Sequence, residues 1–73
     1  MPTFGDRIKE LRTAKGITQR ELGERMGYKT TRSIQHLEAD EHSLDHEGLI
    51  KLADIFNVSL DYLVGRSDQP ERR

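Results

Sequence analysis

Between Thr31 and Glu38 the stretch TRSIQHLE sets four side chains that can read base edges around two that cannot. Arg32 carries a planar fork of donors, Gln35 an amide that both donates and accepts, His36 two ring nitrogens, and Thr31 a hydroxyl. Ile34 and Leu37, three residues apart, are apolar and would share the inner face of a helix. A helix lying in the DNA major groove needs this division: an apolar inside, and a polar outside whose donors and acceptors reach the bases. Arg32 is the most telling of the four, because arginine bidentate to guanine is the commonest specific contact. Taken alone, the same stretch fits any amphipathic helix with a wet outer face, so the preceding residues decide.

Those residues are TQREL, then Met26 and Gly27. Thr18 can cap a helix while Glu21 reaches back to its backbone, a complete capping box. Leu22 and Met26 form the apolar face and Gly27 ends the segment. Only about three residues follow before Thr30 or Thr31, either of which can cap the next helix. Two short helices joined through so tight a glycine-containing turn make the helix-turn-helix pattern. The start of the second helix offers free N–H groups and a positive dipole end, suited to a phosphate. Thr18, Gln19 and Arg20 sit at that start, and Lys29 and Thr30 lie in the turn, so these five are the candidate phosphate-binding residues.

Three further helices are needed to hold this pair. A first opens at Thr3 with Asp6 in the capping-box position, carries Phe4, Ile8 and Leu11 on one face, and stops at Gly16. A fourth starts near Ser43 or Asp45, carries Leu49, Leu52, Ala53 and Phe56, and stops at Asn57. A fifth begins at Ser59, carries Leu60, Leu63 and Val64, and closes at Gly65. Leu60, Leu63 and Val64 are the candidate dimer surface, or else close the core. The expected fold is all-α, a compact five-helix bundle occupying residues 1–66. A polar tail, 67–73, follows within RSDQPERR, which is expected to fray.

Composition sets outer limits. The 73 residues fit one domain, with 33% apolar and 34% charged residues and a net charge of −1. Self-repulsion therefore does not favour unfolding, and the periodic apolar residues imply a folded chain. Without cysteine there is neither a disulfide framework nor a thiolate zinc site. No apolar run approaches the ~20 residues that cross a bilayer, and MPTFGDRIKE is not a signal peptide, so a cytoplasmic protein without a membrane partner is expected. The charge is uneven: residues 1–32 carry +4 and residues 33–73 carry −5. One half suits a polyanion and the other does not. His42 and His46, four apart with Glu47 beside them, are too few for a metal site. No Ser, His and Asp are ordered as nucleophile, base and orienter, and so small a bundle offers no deep cleft. No enzyme activity, cofactor or metal is expected.

The stretch from Phe4 to Asp68 resembles the Cro/C1-type (XRE) helix-turn-helix family, which includes the repressors of temperate phages. The resemblance is carried by IKELRTAKGITQREL, SIQHLE and LIKLADIFNVSLDYLVGRSD. It implies a lambda repressor-like five-helix bundle with the third helix in the major groove and the second across the backbone. By position it implies a phosphate contact for Gln19, base reading by Thr31, Arg32 and His36, and an internal salt bridge between Arg12 and Glu38. Two features depart from the family. The stretch GYKTTRS, from Gly27 to Ile34, is one residue longer than the common pattern. After Glu38 the family often has Asn-Gly and then basic residues that touch phosphate; here the residues are ADEHS, and Asp40 and Glu41 would repel DNA.

The expectation is a sequence-specific DNA-binding regulator, a repressor by family habit, that binds operator duplex as a homodimer. The rival is a protein-interaction module, such as the antitoxin of a toxin–antitoxin pair, docking a basic partner on the acidic face through Asp40, Glu41 and Asp45.

Overall fold

Four helices begin where a short polar side chain takes over an N–H that the helix leaves unpaired. A computed structural model describes residues 2–71, and among them are five helices and no strand. They are α1 (Phe4–Ala14), α2 (Gln19–Met26), α3 (Arg32–Glu38), α4 (His46–Phe56) and α5 (Leu60–Leu63). Thr3 and Thr18 form full capping boxes with Asp6 and Glu21, and Asp45 and Ser59 cap α4 and α5. Each such cap contributes about 1 kcal/mol. The third helix differs. Thr31 precedes it with helical φ and ψ of −69° and −22° and makes no side-chain cap, so the expected threonine cap of α3 is absent. The chain enters α3 from a turn already helical, out of reach of the N–H groups a cap would serve.

Gly27 ends α2 in the left-handed conformation, φ 81°, which only glycine adopts without steric cost. Tyr28 N–H then bonds back to the Gly23 carbonyl at 2.9 Å, and Lys51 Nζ, from α4, donates to the Met26 carbonyl at 3.3 Å. The turn into α3 is thus short and tied at its start. α1 packs on α3, α2 on α3 and α4, and α5 on α4 and α1. The core between them holds Ile8, Leu22, Ile34, Leu52 and Leu63, each essentially without solvent contact, with Met26, Leu37, Ala53, Phe56 and Val58 around them. Burying a leucine or isoleucine fully is worth about 1.5–3 kcal/mol, so these side chains set how the helices sit. Leu63 therefore belongs to the core and not to a dimer surface, while Leu60 and Val64 stand exposed.

Two contacts join the ends of α1 and α3. Gly5 lies so close to the end of α3 that a Cβ there would stand 2.5 Å from the Glu38 carbonyl oxygen and 2.7 Å from that of Leu37. Asp40, just past α3 with φ 61°, accepts from Thr3 Oγ1 at 2.6 Å and from Gly5 N–H at 2.9 Å. These bonds, the Thr3 hydroxyl first and the Gly5 N–H second, hold its carboxyl below the ordinary value of 3.8. A depressed carboxyl stabilises the fold above its unfolded pKa, and that contribution is lost as pH falls through the folded value. Thermal stability is therefore expected to drop on acidification below about pH 4. Asp40→Asn should shrink that drop, and equal melting-temperature-versus-pH curves for the two proteins would refute the link. Glu21, lowered by the Thr18 backbone N–H, acts with the same sign and keeps part of the drop in place.

Arg7 shares the inner face of α1 with Phe4, Ile8 and Leu11 and is 6% exposed. Its guanidinium lies 4.3 Å from the Tyr62 ring centre and 3.6 Å from Asp68. Where the sequence suggested a fraying tail, its described part is tied to the body at one point: Ser59 N–H donates to the Pro70 carbonyl at 3.0 Å. Residues 72 and 73, the end of the tail segment, lie outside the described residues.

Candidate nucleic-acid interface

The residues singled out from the sequence fall on the outer side of α2, the turn and α3. Thr18 caps α2 with its hydroxyl oxygen accepting from Glu21 N–H at 3.0 Å, which leaves the hydroxyl proton available. Arg20, Lys29, Thr30 and Thr31 line one surface cleft together with Gly23, Glu24 and Tyr28. Arg20, Lys29 and Thr30 are exposed and Thr31 is half-buried. Arg32 and His36 line an adjoining cleft with Thr30, Ser33 and His42. Gln35 is exposed on the same helix. The structure thus brings the cationic and hydroxyl groups of the turn beside the start of α3.

Arg32 is the first residue of α3, and no acidic residue occupies that first turn. A cation at a helix N-terminus faces the positive end of the dipole and costs about 0.3–1 kcal/mol. Every other helix here carries an acid in its first turn, as the dipole favours. α3 breaks the local rule where a base-reading arginine would stand, and broken local rules concentrate at functional sites.

Behind this face lies a network the sequence only half revealed. Glu38 accepts from Arg12 Nε at 2.6 Å and Arg12 Nη2 at 3.3 Å, so the salt bridge that the family resemblance implies is present and bidentate. Arg12 Nη1 also donates to the Ile17 carbonyl at 2.9 Å. The pair is largely out of solvent, with side-chain exposures of 12% and 6%. The addition is Gln19: its Nε2 donates to Glu38 Oε1 at 3.1 Å. Expected from the sequence as a phosphate ligand, Gln19 is held from below by a carboxylate that also holds α1. Nineteen residues separate it from Glu38, so no local pattern announces the contact.

The acidic loop after α3 is also occupied internally. Asp40 is bound to the start of α1, Glu41 Oε1 lies 2.9 Å from His36 Nδ1, and Asp45 caps α4. His42 turns its ring to His36, with centroids 4.8 Å apart. Among the described residues no three His, Asp or Glu side chains converge where a metal ion could be held, and no helix is long and apolar enough to cross a membrane.

The family model described as helix-turn-helix matches residues 8–63, from the middle of α1 to the end of α5. The chain belongs to the helix-turn-helix family. The Cro/C1-type resemblance seen in the sequence is borne out by its relatives within this helix-turn-helix family. It is 35% identical over 66 residues to the HTH-type transcriptional regulator ImmR of Bacillus subtilis (strain 168), covering 90% of this chain and 51% of ImmR. It is 34% identical over 61 residues to the SPbeta prophage-derived uncharacterized HTH-type transcriptional regulator YonR of the same organism, covering 84% of this chain and 56% of YonR. The chain thus spans about half the length of the curated relatives it matches. Among solved structures, the P22 c2 repressor protein in complex with synthetic operator 9T superposes with a TM-score of 0.83 at 28% identity. That match covers 92% of this chain and 100% of the other, so the lambda repressor-like bundle of this helix-turn-helix chain is the whole of the shared fold.

Proposed function

We propose that this chain is a DNA-binding transcription regulator, a repressor, whose α3 enters the major groove of operator DNA. The observation that carries the reading is the short α2–turn–α3 unit with a cation at the start of α3, in a bundle that matches an operator-bound repressor over nearly its whole length. Thr31, Arg32, Gln35 and His36 read base edges. Thr18, Gln19, Arg20, Lys29 and Thr30 contact phosphates, with the first turn of α2 facing the backbone. Such a regulator acts where the DNA is, in the cytoplasm, and residues 1–66 are its DNA-binding domain.

One recognition helix spans too few base pairs to single out an operator, so the regulator works as a homodimer on half-sites about 10 bp apart. Leu60 and Val64, 43% and 47% exposed on one side of α5, are the apolar side chains offered to a second copy. Leu60→Asp with Val64→Asp is expected to leave the domain folded and remove cooperative binding to a two-half-site duplex. Sedimentation and gel-shift titration measure both.

The rival, docking of a basic protein on the acidic face, is weakened by what its carboxylates already do. Asp40, Glu41 and Asp45 each serve an internal contact. The deciding experiment is selection from a randomised duplex pool at two salt concentrations. A two-fold symmetric motif, with affinity falling as salt rises, is expected. Arg32→Ala should then weaken binding to that motif by about 1–3 kcal/mol, roughly 5- to 150-fold, and relax the preference at one position. Retention without a motif would overturn the reading.

A further inference from the structure

We propose that Glu41 is a positioning residue that sets which base His36 selects. It holds the His36 proton on Nδ1, so that α3 presents Nε2 as an acceptor to a base-edge amino group, cytosine N4 or adenine N6. The inference rests on the reading of α3 as the helix that enters the groove.

The geometry ties Glu41 to His36 twice. Asp40 turns the chain through the left-handed region just past α3, with φ 61°. That turn brings Glu41 back over the last part of the helix, where its N–H donates to the His36 carbonyl at 2.9 Å. Its side-chain Oε1 lies 2.9 Å from His36 Nδ1. The ring is flanked on another side by His42, at 4.8 Å and tilted by 34°. Arg32, one helical turn earlier, lines the same cleft. The ring is therefore held in place and still 35% exposed.

Chemistry then fixes the proton. A neutral imidazole has one donor nitrogen and one acceptor, and a carboxylate only accepts. Facing Glu41, Nδ1 must carry the hydrogen, and Nε2 keeps its lone pair. Nε2 makes no hydrogen bond among the described residues, and it points away from Glu41 across the ring. In the major groove the donors are the amino groups of cytosine and adenine, whereas the hydrogen-bonding groups that guanine and thymine offer there are acceptors only. An acidic side chain beside a helix that approaches phosphates works against general affinity. Holding His36 gives this one a task.

The test compares operator selection by the wild type, Glu41→Gln and His36→Ala at about pH 8, above the ordinary imidazole range. His36→Ala identifies the position that His36 reads, as the one whose preference disappears. The wild type is expected to favour cytosine or adenine there. Glu41→Gln, whose amide can donate as well as accept, should weaken that preference roughly tenfold and leave the other positions unchanged. Guanine or thymine at that position in the wild type, or an unaltered preference in Glu41→Gln, overturns the inference while the DNA reading stands. No motif from the wild type overturns both. Nitrogen NMR of the free protein gives a readout without DNA. His36 should be in the Nδ1–H form in the wild type and a mixture in Glu41→Gln, and a dominant Nε2–H form in the wild type refutes the proposal.

Discussion

Gly5→Ala is expected to lower the stability of this domain by about 2 kcal/mol, while the same change at Gly23 should raise it by about 0.5–1 kcal/mol. The two positions differ in what a methyl group would meet. At Gly5 the new Cβ stands 2.5 Å from the Glu38 carbonyl oxygen and 2.8 Å from its carbon. These are backbone atoms at the end of α3, so no side chain can swing aside. Forcing extra volume into such a contact costs about 1–3 kcal/mol, and the helix preference of alanine returns less than 1. At Gly23 the nearest atoms are 3.6 Å away, an ordinary packing distance, within a helical stretch of α2. There alanine adds contact and removes chain entropy from the unfolded state. For a domain of this size 1 kcal/mol moves the melting temperature by about 4–8 °C, so the two variants should separate by more than 10 °C on opposite sides of the wild type. A Gly5→Ala protein as stable as the wild type would mean that α1 does not seat against the end of α3 as described.

That contact also shows where sequence reading stops. The helix starts are legible because a cap acts across three residues: Thr3 with Asp6, Thr18 with Glu21, Asp45 with Gly48 and Ser59 with Tyr62 are all local. The Gly27 stop and the outward face of α3 are legible for the same reason. The contacts that orient the helices are not local. Asp40 reaches Thr3 across 37 residues and Arg12 reaches Glu38 across 26. The first has no pattern to betray it, and the second came only from a family resemblance. Gly5 carried a signal that could have been used, since glycine in the first turn of a helix weakens it unless something must come close. Arg7 did too: it falls on the Phe4–Ile8–Leu11 face, where a cation is unexpected. Whether Leu63 closes the core or faces a second copy stayed open in the sequence, because a four-residue helix is too short to show a period. Thr31 was misjudged because capping depends on backbone angles that composition does not report.

Glu38→Ala is expected to cost about 3–5 kcal/mol, the usual penalty for breaking a buried ion pair from one side. Among the described residues the carboxylate is the acceptor of both the Arg12 Nε and Nη2 donors, at 2.6 and 3.3 Å. Removing it strands a guanidinium whose side chain is 12% exposed. A small domain has about 5 kcal/mol of stability in total, so the variant should be close to unfolding at room temperature. Replacing both partners by apolar residues of similar size, Arg12→Met with Glu38→Leu, should restore most of the loss, because the uncompensated charge is gone and desolvation of the pair is avoided. Urea titration of Arg12→Met, Glu38→Leu and the double variant gives the coupling directly. DNA binding should not follow stability in this series. The double variant is expected to fold, yet its Gln19 lacks the Glu38 oxygen that holds the amide at 3.1 Å, which should loosen the start of α2 on α3. A stable double variant with operator affinity reduced about tenfold would assign the pair to orientation, as expected. Full affinity in that variant would show that Gln19 needs no such support, and a Glu38→Ala cost below about 1 kcal/mol would show that the pair behaves as an exposed one.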